Sequence, residues 1–154
     1  MKNLSTLLMV IVILFGLILA ATPFIGSIFF PLPENSTQQP KTEMVRSALA
    51  QWFNAPSSAF VDVQAIRKMV NEKQVSRYSF STPADVVRSF IIVKNLQQEP
   101  LSSEIMETIF TDKTISWWQP EALKRETWFS GTDQGRTLSL IYNAETKRGV
   151  LVIE

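Results

Sequence analysis

The feature that most constrains this chain is an apolar segment at its N-terminus. Residues 7–21 carry no polar side chain, and after a Thr-Pro pair a mostly apolar sequence continues to residue 32. A helix needs roughly 20 predominantly apolar residues to cross the hydrocarbon core of a bilayer, and residues 4–30 exceed that length. The sequence therefore predicts a membrane anchor over residues 1–30.

The same segment also contains the parts of a secretory signal peptide, with Lys2 before a short apolar core. The cleavage site is the weak part of this alternative. Cutting after Ala21 would place Leu19 where a small residue is expected, and it would leave a strongly apolar sequence at the new N-terminus. We therefore favour an uncleaved signal-anchor and keep secretion after cleavage as the alternative.

The charges beside the apolar segment predict how the chain is oriented. Lys2 is the only charged side chain before Glu34, and Lys41 is the first cation after the segment. Cytoplasmic flanks of membrane helices are enriched in Lys and Arg. The sequence therefore predicts a single-pass protein of the cell inner membrane, with a cytoplasmic N-terminus and a periplasmic, or otherwise extracytoplasmic, C-terminal domain. Both interpretations of the apolar segment agree on this localisation.

The composition of the remaining chain excludes several classes of chemistry. The 154 residues include no Cys and no His, so Ser-His-Asp or Cys-His catalysis cannot operate within the chain. The net charge of +1 equals the charge of Lys2. The exported part is therefore formally neutral and has no general electrostatic attraction for nucleic acid. We expect no cofactor, no metal site, no catalytic residue and no nucleic-acid partner.

The exported part divides into a linker and one domain. Residues 31–41 contain three prolines among small polar residues, which favours an extended linker. Residues 42–154 are enough for one domain with its own core. Apolar residues at three- and four-residue spacing predict a helix that Thr42 caps and that ends at residue 53, and a second helix over about residues 57–73. A short β-prone stretch predicts a strand over residues 75–80.

The strongest local helix signal follows at residues 82–96. Thr82 occupies the predicted N-cap, Pro83 the first helical position, and Asp85 lies three residues after the cap, as in a capping box. Apolar residues then cover much of the helix circumference. This width predicts that the helix is central and buried.

The C-terminal half changes from helical to alternating periodicity. Ser103 begins a shorter predicted helix, and Pro120 starts one more turn. Alternating stretches separated by turns rich in Gly, Asp and Asn then predict antiparallel strands over residues 126–130, 136–143 and 148–154. The whole pattern predicts an α+β fold, in which a small domain of about four helices is followed by an antiparallel three- to four-stranded β-meander.

Aromatic residues form the most distinctive candidate binding surface. Trp117 and Trp118 are adjacent, and Trp128 and Tyr142 lie in the predicted strands that follow. Such rings can stack on a sugar, a peptide or an apolar ligand, or they can fill the seam between helices and sheet as core residues. Adjacent side chains of an extended segment point in opposite directions, so one ring of the Trp117–Trp118 pair is expected to be exposed. That ring is the preferred contact residue.

Three classes of function compete. The anchor, the linker and the missing catalytic residue types favour a non-enzymatic protein-interaction or accessory module. Its partners would be an envelope protein and, through the N-terminal helix, the lipid bilayer. The alternative is an extracytoplasmic ligand-binding module that uses the Trp surface and is secreted after signal cleavage. The third class is a hydrolase with two carboxylates. The acidic residues, however, have the spacing of ordinary surface helix positions: Glu104 shares a helix face with Glu107, and Glu121 with the basic Arg125.

Overall fold

The structure, a computed structural model, describes residues 37–154. Within this part of the chain no helix is both long and apolar enough to cross a bilayer. The predicted anchor, residues 1–30, lies outside the described residues, as does the first half of the predicted linker. The second half of the linker contains a short strand, Thr37–Gln38, which pairs with Arg67 and Lys68.

The described domain is built on one antiparallel sheet rather than on a helical layer. Its strands are β1 Thr37–Gln38, β2 Val61–Val70, β3 Lys73–Ser81, β4 Gln97–Pro100, β5 Thr127–Asp133, β6 Arg136–Asn143 and β7 Arg148–Ile153. They lie in the order β1-β2-β3-β7-β6-β5-β4, and every neighbouring pair is antiparallel. The helices are α1 Thr42–Phe53, α2 Ala84–Val93 and a short α3 Ser103–Ile105, which continues as a π turn over Met106–Phe110; 3₁₀ turns occupy Ser57–Ala59 and Pro120–Leu123. The prediction of a four-helix domain followed by a separate meander is therefore wrong.

The prediction fails mainly at residues 57–73, where a helix was expected. The structure has a 3₁₀ turn there, followed by β2, which forms a hairpin with β3. Asn71 and Glu72 join the two strands with φ angles of 48° and 64°, as two-residue hairpin turns require. Val63 and Ile66 have helical spacing, but they are buried on opposite faces of the sheet. A strand with two buried faces loses the simple alternation by which strands are recognised.

Other parts of the prediction are confirmed. The first predicted helix is α1, although its N-cap is Lys41 and Thr42 is its first helical residue rather than its cap. The three strands expected from residue 126 onward are β5, β6 and β7. The final strand lies in the middle of the sheet, because β7 pairs with β3 on one side and with β6 on the other. The edge strands are β1 and β4, and β4 is not predicted from the sequence.

The first face of the sheet is covered by α1 and α2, which share a cluster of phenylalanine rings. Phe53 of α1 stacks on Phe90 of α2 with ring centroids 4.1 Å apart. It also meets Phe60 and Phe80 edge-on, each at 5.3 Å. Stacked and edge-on aromatic pairs stabilise a core by more than their buried area alone. This cluster joins both helices to β3.

The predicted cap of α2 is wrong. The helix begins at Ala84, its N-cap is Pro83, and no side chain caps it. Thr82 is instead buried, and its hydroxyl donates to the carbonyl of Ala59 at 2.9 Å. The carbonyl of Thr82 accepts a hydrogen bond from the Tyr142 hydroxyl at 2.7 Å. Thr82 therefore ties the entrance of α2 to its neighbours rather than capping the helix.

Helix α2 is also less buried than its wide apolar face predicts. Val87 and Phe90 face the core, but Ile92 and Val93 are 70% and 74% exposed. The helix packs against the first face from one side, and among residues 37–154 nothing covers its outer side. The wide apolar surface of α2 therefore does not mean that the helix lies at the centre of the fold.

The second face of the sheet is covered by residues 101–126, which we call the cover segment. Side chains from this segment and from the sheet form a second cluster, whose buried members are Ile66, Val75, Phe110, Ile115, Trp118, Leu123, Trp128, Ile141, Val150 and Val152. The sheet is thus buried on both faces. The irregular cover segment is the part of the fold that carries the candidate site.

Gly149 allows two aromatic rings to approach β7 closely. It pairs with Phe80 of β3 and Tyr142 of β6, and a Cβ atom added to it would lie 3.0 Å from ring atoms of both. Replacing Gly149 with Ala is expected to lower the free energy of unfolding by about 1–3 kcal/mol, because buried rings must move. Urea denaturation measures the change. The penalty should shrink in a Phe80→Leu background, which makes room for the methyl group, and a variant as stable as the native protein would contradict this packing.

Candidate functional site: a charged groove in the cover segment

The cover segment encloses a groove of about 660 Å³ on the second face. One wall is formed by α3 and the π turn, and the other by the 3₁₀ turn before β5. The side chains that line it are Leu101, Ser102, Ser103, Met106, Glu107, Thr111, Lys113, Glu121 and Arg125. A volume of this size is typical of binding sites for small ligands, and it has room for a short stretch of polypeptide.

Local hydrogen bonds hold the first wall in place. Ser102 caps α3, since its Oγ accepts the backbone N–H of Ile105 at 3.2 Å. At the far end, Thr111 donates its backbone N–H and its hydroxyl to the carbonyl of Met106, at 2.9 and 3.0 Å. These two bonds close the π turn. Such turns are rare and recur at functional sites, although the turn alone assigns no function.

Two of the predicted binding residues, Trp118 and Trp128, support the π turn from inside the fold. The indole N–H of Trp118 donates to the carbonyl of Phe110, the last residue of the turn. The Trp128 ring meets Phe110 edge-on at 5.9 Å. Trp118 and Trp128 are only 5% and 6% exposed. The structure therefore places both rings in the core beneath the groove.

The other two predicted binding residues lie apart from each other. Trp117 is half-buried, with its ring edge-on to Trp118 at 5.9 Å, so Trp117 is the more exposed ring of the adjacent pair. Tyr142 is buried on the first face, where it contacts the helix layer and binds the Thr82 carbonyl. The fold thus gathers the three C-terminal tryptophans on the second face and leaves Tyr142 on the opposite one.

A buried charge cluster anchors the middle of the cover segment to the sheet. The Asp112 carboxylate accepts a hydrogen bond from the Lys68 ammonium at 2.8 Å and lies 3.6 Å from the Arg77 guanidinium. Lys68 belongs to β2 and Arg77 to β3, so both cations come from the sheet. Asp112 lies between two residues that line the groove, Thr111 and Lys113. The charge cluster therefore fixes the position of the part of the groove that contains Thr111 and Lys113.

Asp112 is ionised because hydrogen bonds outweigh its burial. Burial by itself raises the pKa of a carboxyl group, but Lys68 and Thr114 donate hydrogen bonds to this one and lower its pKa from 3.8 to about 2. Thr114 donates its backbone N–H at 3.0 Å and its hydroxyl at 2.5 Å. The Nε of Arg77 is buried with no hydrogen-bond partner among the described residues. Among the described residues, Asp112 is therefore the carboxylate that provides the counter-charge for both Lys68 and Arg77.

Four charged side chains line the groove, and the fold uses none of them in an ion pair. Glu107 and Glu121 are acidic, Lys113 and Arg125 are basic, and all four are exposed. The ion pairs formed within residues 37–154 join other side chains. The groove therefore presents two charges of each sign. From the sequence alone, Glu107, Glu121 and Arg125 are predicted to be ordinary surface positions, because their spacing does not show that the two walls meet.

A smaller pocket of about 180 Å³ lies near the end of α1, and its charges are already matched. The lining residues are Gln51, Trp52, Lys94, Asp133 and Gln134. The Lys94 ammonium donates to Asp133 at 2.6 Å and lies 5.4 Å from the centroid of the Trp52 ring. Because Lys94 already pairs with the Asp133 carboxylate and lies over the Trp52 ring, this pocket has fewer free groups for binding a ligand than the groove has.

The described residues contain no group of three Asp or Glu side chains placed to hold a metal ion. Comparisons with known proteins do not assign the chain to a family. No family model, no curated protein and no solved structure matches it. The groove and the N-terminal sequence are therefore the features that bear on its function.

Proposed function

We propose that this chain is a single-pass, membrane-anchored envelope protein whose extracytoplasmic domain is a non-enzymatic module that binds a protein partner in the groove. The observation that carries this proposal is the set of four unpaired charges along the groove, two acidic and two basic. A simple anion or cation would leave half of these charges unmatched. A polypeptide segment with side chains of both signs matches all of them.

The other lining residues support the same type of ligand. Leu101 and Met106 provide apolar contacts, and the unbranched Met side chain adapts to differently shaped partners. Ser102, Ser103 and Thr111 add hydroxyl groups beside them. An apolar centre surrounded by polar and charged groups is the usual arrangement of a protein–protein contact. Trp117, half-exposed on the same face, is the aromatic residue that we propose as an additional contact.

A carboxylate hydrolase is the less favoured use of the same groove. Glu107 and Glu121 both line it, and hydrolysis by two carboxylates requires one of them to act as an acid. In such enzymes an apolar environment keeps that carboxyl group protonated. Both glutamates here are exposed to water, which supports binding rather than catalysis.

The N-terminal sequence supports the proposed location. The apolar residues 7–21 and the single cation Lys2 favour an anchor with a cytoplasmic start. Anchoring would raise the effective concentration of the domain near partners in the same membrane, so a modest affinity in the groove is sufficient. We propose the bilayer and an envelope protein as partners, with no cofactor and no nucleic acid.

One labelling experiment tests both the location and the groove. The chain contains no Cys, so Ser103→Cys provides a single thiol in the groove of the full chain and keeps all four of its charges. Spheroplasts with an intact inner membrane are treated with a membrane-impermeant maleimide that carries a photocrosslinker. We expect the label to attach from outside and, on illumination, to form one discrete larger adduct. Glu145→Cys, at an exposed position outside the groove, should be labelled without forming that adduct.

The dependence on charge distinguishes groove binding from accidental proximity. Adding Arg125→Glu to Ser103→Cys should reduce the adduct about tenfold, which corresponds to one lost charge interaction. The matched reversal Arg136→Glu, at the exposed start of β6, should leave it unchanged. Labelling only after lysis would contradict the extracytoplasmic location. An adduct that survives Arg125→Glu would contradict the groove.

A further inference from the structure

Strand β4 forms an edge of the sheet directly beside the groove. It is the last strand in the sheet order, and all its residues, Gln97–Pro100, are exposed. It pairs with β5 on one side, and within residues 37–154 no strand pairs with its other side. The residues that follow it, Leu101 and Ser102, line the groove. The open edge and the groove are therefore continuous along the chain.

The register of β4 determines which of its backbone groups point outward. The N–H of Leu101 donates to the carbonyl of Glu126 at 2.8 Å. In an antiparallel pair, residues that bond to the partner strand alternate with residues that point away from it. Glu99 therefore bonds to β5, while Gln98 and Pro100 point outward. Because Pro lacks an N–H, the outer edge offers the N–H of Gln98 and the carbonyls of Gln98 and Pro100.

We propose that the partner segment binds in an extended conformation and adds a strand to β4, pairing with the backbone of Gln98 and continuing into the groove. This proposal rests on the proposed function and names the form of its ligand. Main-chain bonds to a sheet edge provide affinity for any extended polypeptide, and side-chain sites next to the edge provide selectivity. Here Glu107, Lys113, Glu121 and Arg125 select a segment that carries both signs of charge.

The edge itself limits what can bind to it. Short edge strands that contain Pro and a charged residue resist unselective pairing with other strands. β4 has four residues, among them Glu99 and Pro100, and only Gln98 offers both a donor and an acceptor. The edge alone therefore holds a partner weakly. Stable binding requires the groove as well, which restricts the site to segments that fit both.

The variant Gln98→Pro tests the edge without disturbing the sheet. It removes an N–H that β5 does not use, and Pro is tolerated at outward-facing positions of edge strands. Gln98→Ala, which keeps the N–H, is the matched control. Decapeptides are selected from a random displayed library against the full chain in lipid nanodiscs, and their affinities are measured by fluorescence polarisation. We expect Gln98→Pro and Arg125→Glu each to weaken binding about tenfold or more, and Gln98→Ala to bind within about twofold of the native chain.

Hydrogen exchange of the Gln98 amide provides a direct second readout. The bound peptide should slow this exchange at least about tenfold. If Arg125→Glu abolishes binding but Gln98→Pro does not, and the amide stays unprotected, the edge proposal is overturned while the groove proposal stands. If no selected peptide depends on Arg125, both are overturned. If the amide is already protected in the free protein and Gln98→Pro converts a dimer to a monomer, the edge binds a second copy of this chain, which also overturns the proposal.

Discussion

Replacing Asp112 with Ala is expected to lower the free energy of unfolding by about 3–5 kcal/mol, because it leaves Lys68 and Arg77 partly or fully buried without a counter-charge. Asp112 is the shared partner of both cations and is itself 12% exposed. Urea denaturation at neutral pH measures the loss. Glu121→Ala, which removes an exposed and unpaired carboxylate, should change stability by no more than about 0.5 kcal/mol. A loss below about 1 kcal/mol for Asp112→Ala would show that water reaches the cations freely.

A combined variant separates the uncompensated charge from the lost packing. Lys68→Met, Arg77→Leu and Asp112→Leu together remove all three charges. Replacing a whole buried ion cluster by apolar side chains is often neutral or stabilising. The triple variant should therefore recover most of the stability that Asp112→Ala loses. If it is no more stable than the single variant, packing of the cover segment matters more than charge.

The same carboxylate makes stability depend on acid pH. The pKa of Asp112 is about 2 in the folded state, against 3.8 for an unperturbed carboxyl. Because its pKa is lower in the folded state, ionised Asp112 stabilises the protein at pH values above the pKa of the unfolded state. This contribution disappears as the pH falls from about 5 towards 2. The difference corresponds to about 2 kcal/mol. The stability advantage of the native protein over Asp112→Asn should shrink by about that amount over this range, whereas a constant difference would contradict the pKa shift.

The second large effect is expected in the phenylalanine cluster of the first face. Phe80→Ala should lower the free energy of unfolding by about 3–5 kcal/mol, because it opens a cavity in a packed core. The Phe80 side chain is 1% exposed and lies edge-on to Phe53 and Phe60, at 5.3 and 6.0 Å. Thermal or urea denaturation measures the loss, with Ile92→Ala as the control, since Ile92 is 70% exposed. A loss below about 2 kcal/mol would mean that neighbouring rings collapse into the space.

Comparing Asp112→Ala with a milder core variant, Phe80→Leu, separates the core from the site. Phe80 belongs to the cluster under α1 and α2, whereas Asp112 holds a wall of the groove on the opposite face. At a temperature where both variants remain folded, Asp112→Ala should therefore weaken the adduct formed by the groove label, and Phe80→Leu should not. This comparison distinguishes loss of the groove from general loss of stability.

Several local elements were predictable because short-range chemistry specifies them. Helix α1 has an apolar stripe on one side, and it ends at Phe53 as predicted. The hairpins of β5, β6 and β7 follow from alternating residues and from turns such as Gln134-Gly135, where both φ angles are positive. These features depend on neighbours within a few residues. These features can therefore be predicted from the sequence alone.

The errors arose where tertiary neighbours decide the structure. The apolar pattern of β2 resembles that of a helix, because residues on both faces of the strand are buried. The segment is a strand because it pairs with β3. β4 consists of three polar residues and a proline, which form a strand only because β5 lies beside them. Thr82 has the sequence of a helix cap but forms hydrogen bonds across the fold. In each case a long-range contact outweighed a local preference.

The sequence by itself determined the apolar N-terminal segment with its charge asymmetry, the absence of Cys and His chemistry, and the local helix and hairpin signals, since all of these reside in residue types and short spacings. Only the tertiary structure decided that the domain is a sheet buried on both faces, that Trp118 and Trp128 are core residues, and that four charges of the cover segment line one groove. The physical reason is distance along the chain. Lys68 and Arg77 contact Asp112 across more than thirty residues of sequence. Such contacts form only when the whole sheet pairs and becomes buried, so no local sequence pattern predicts them.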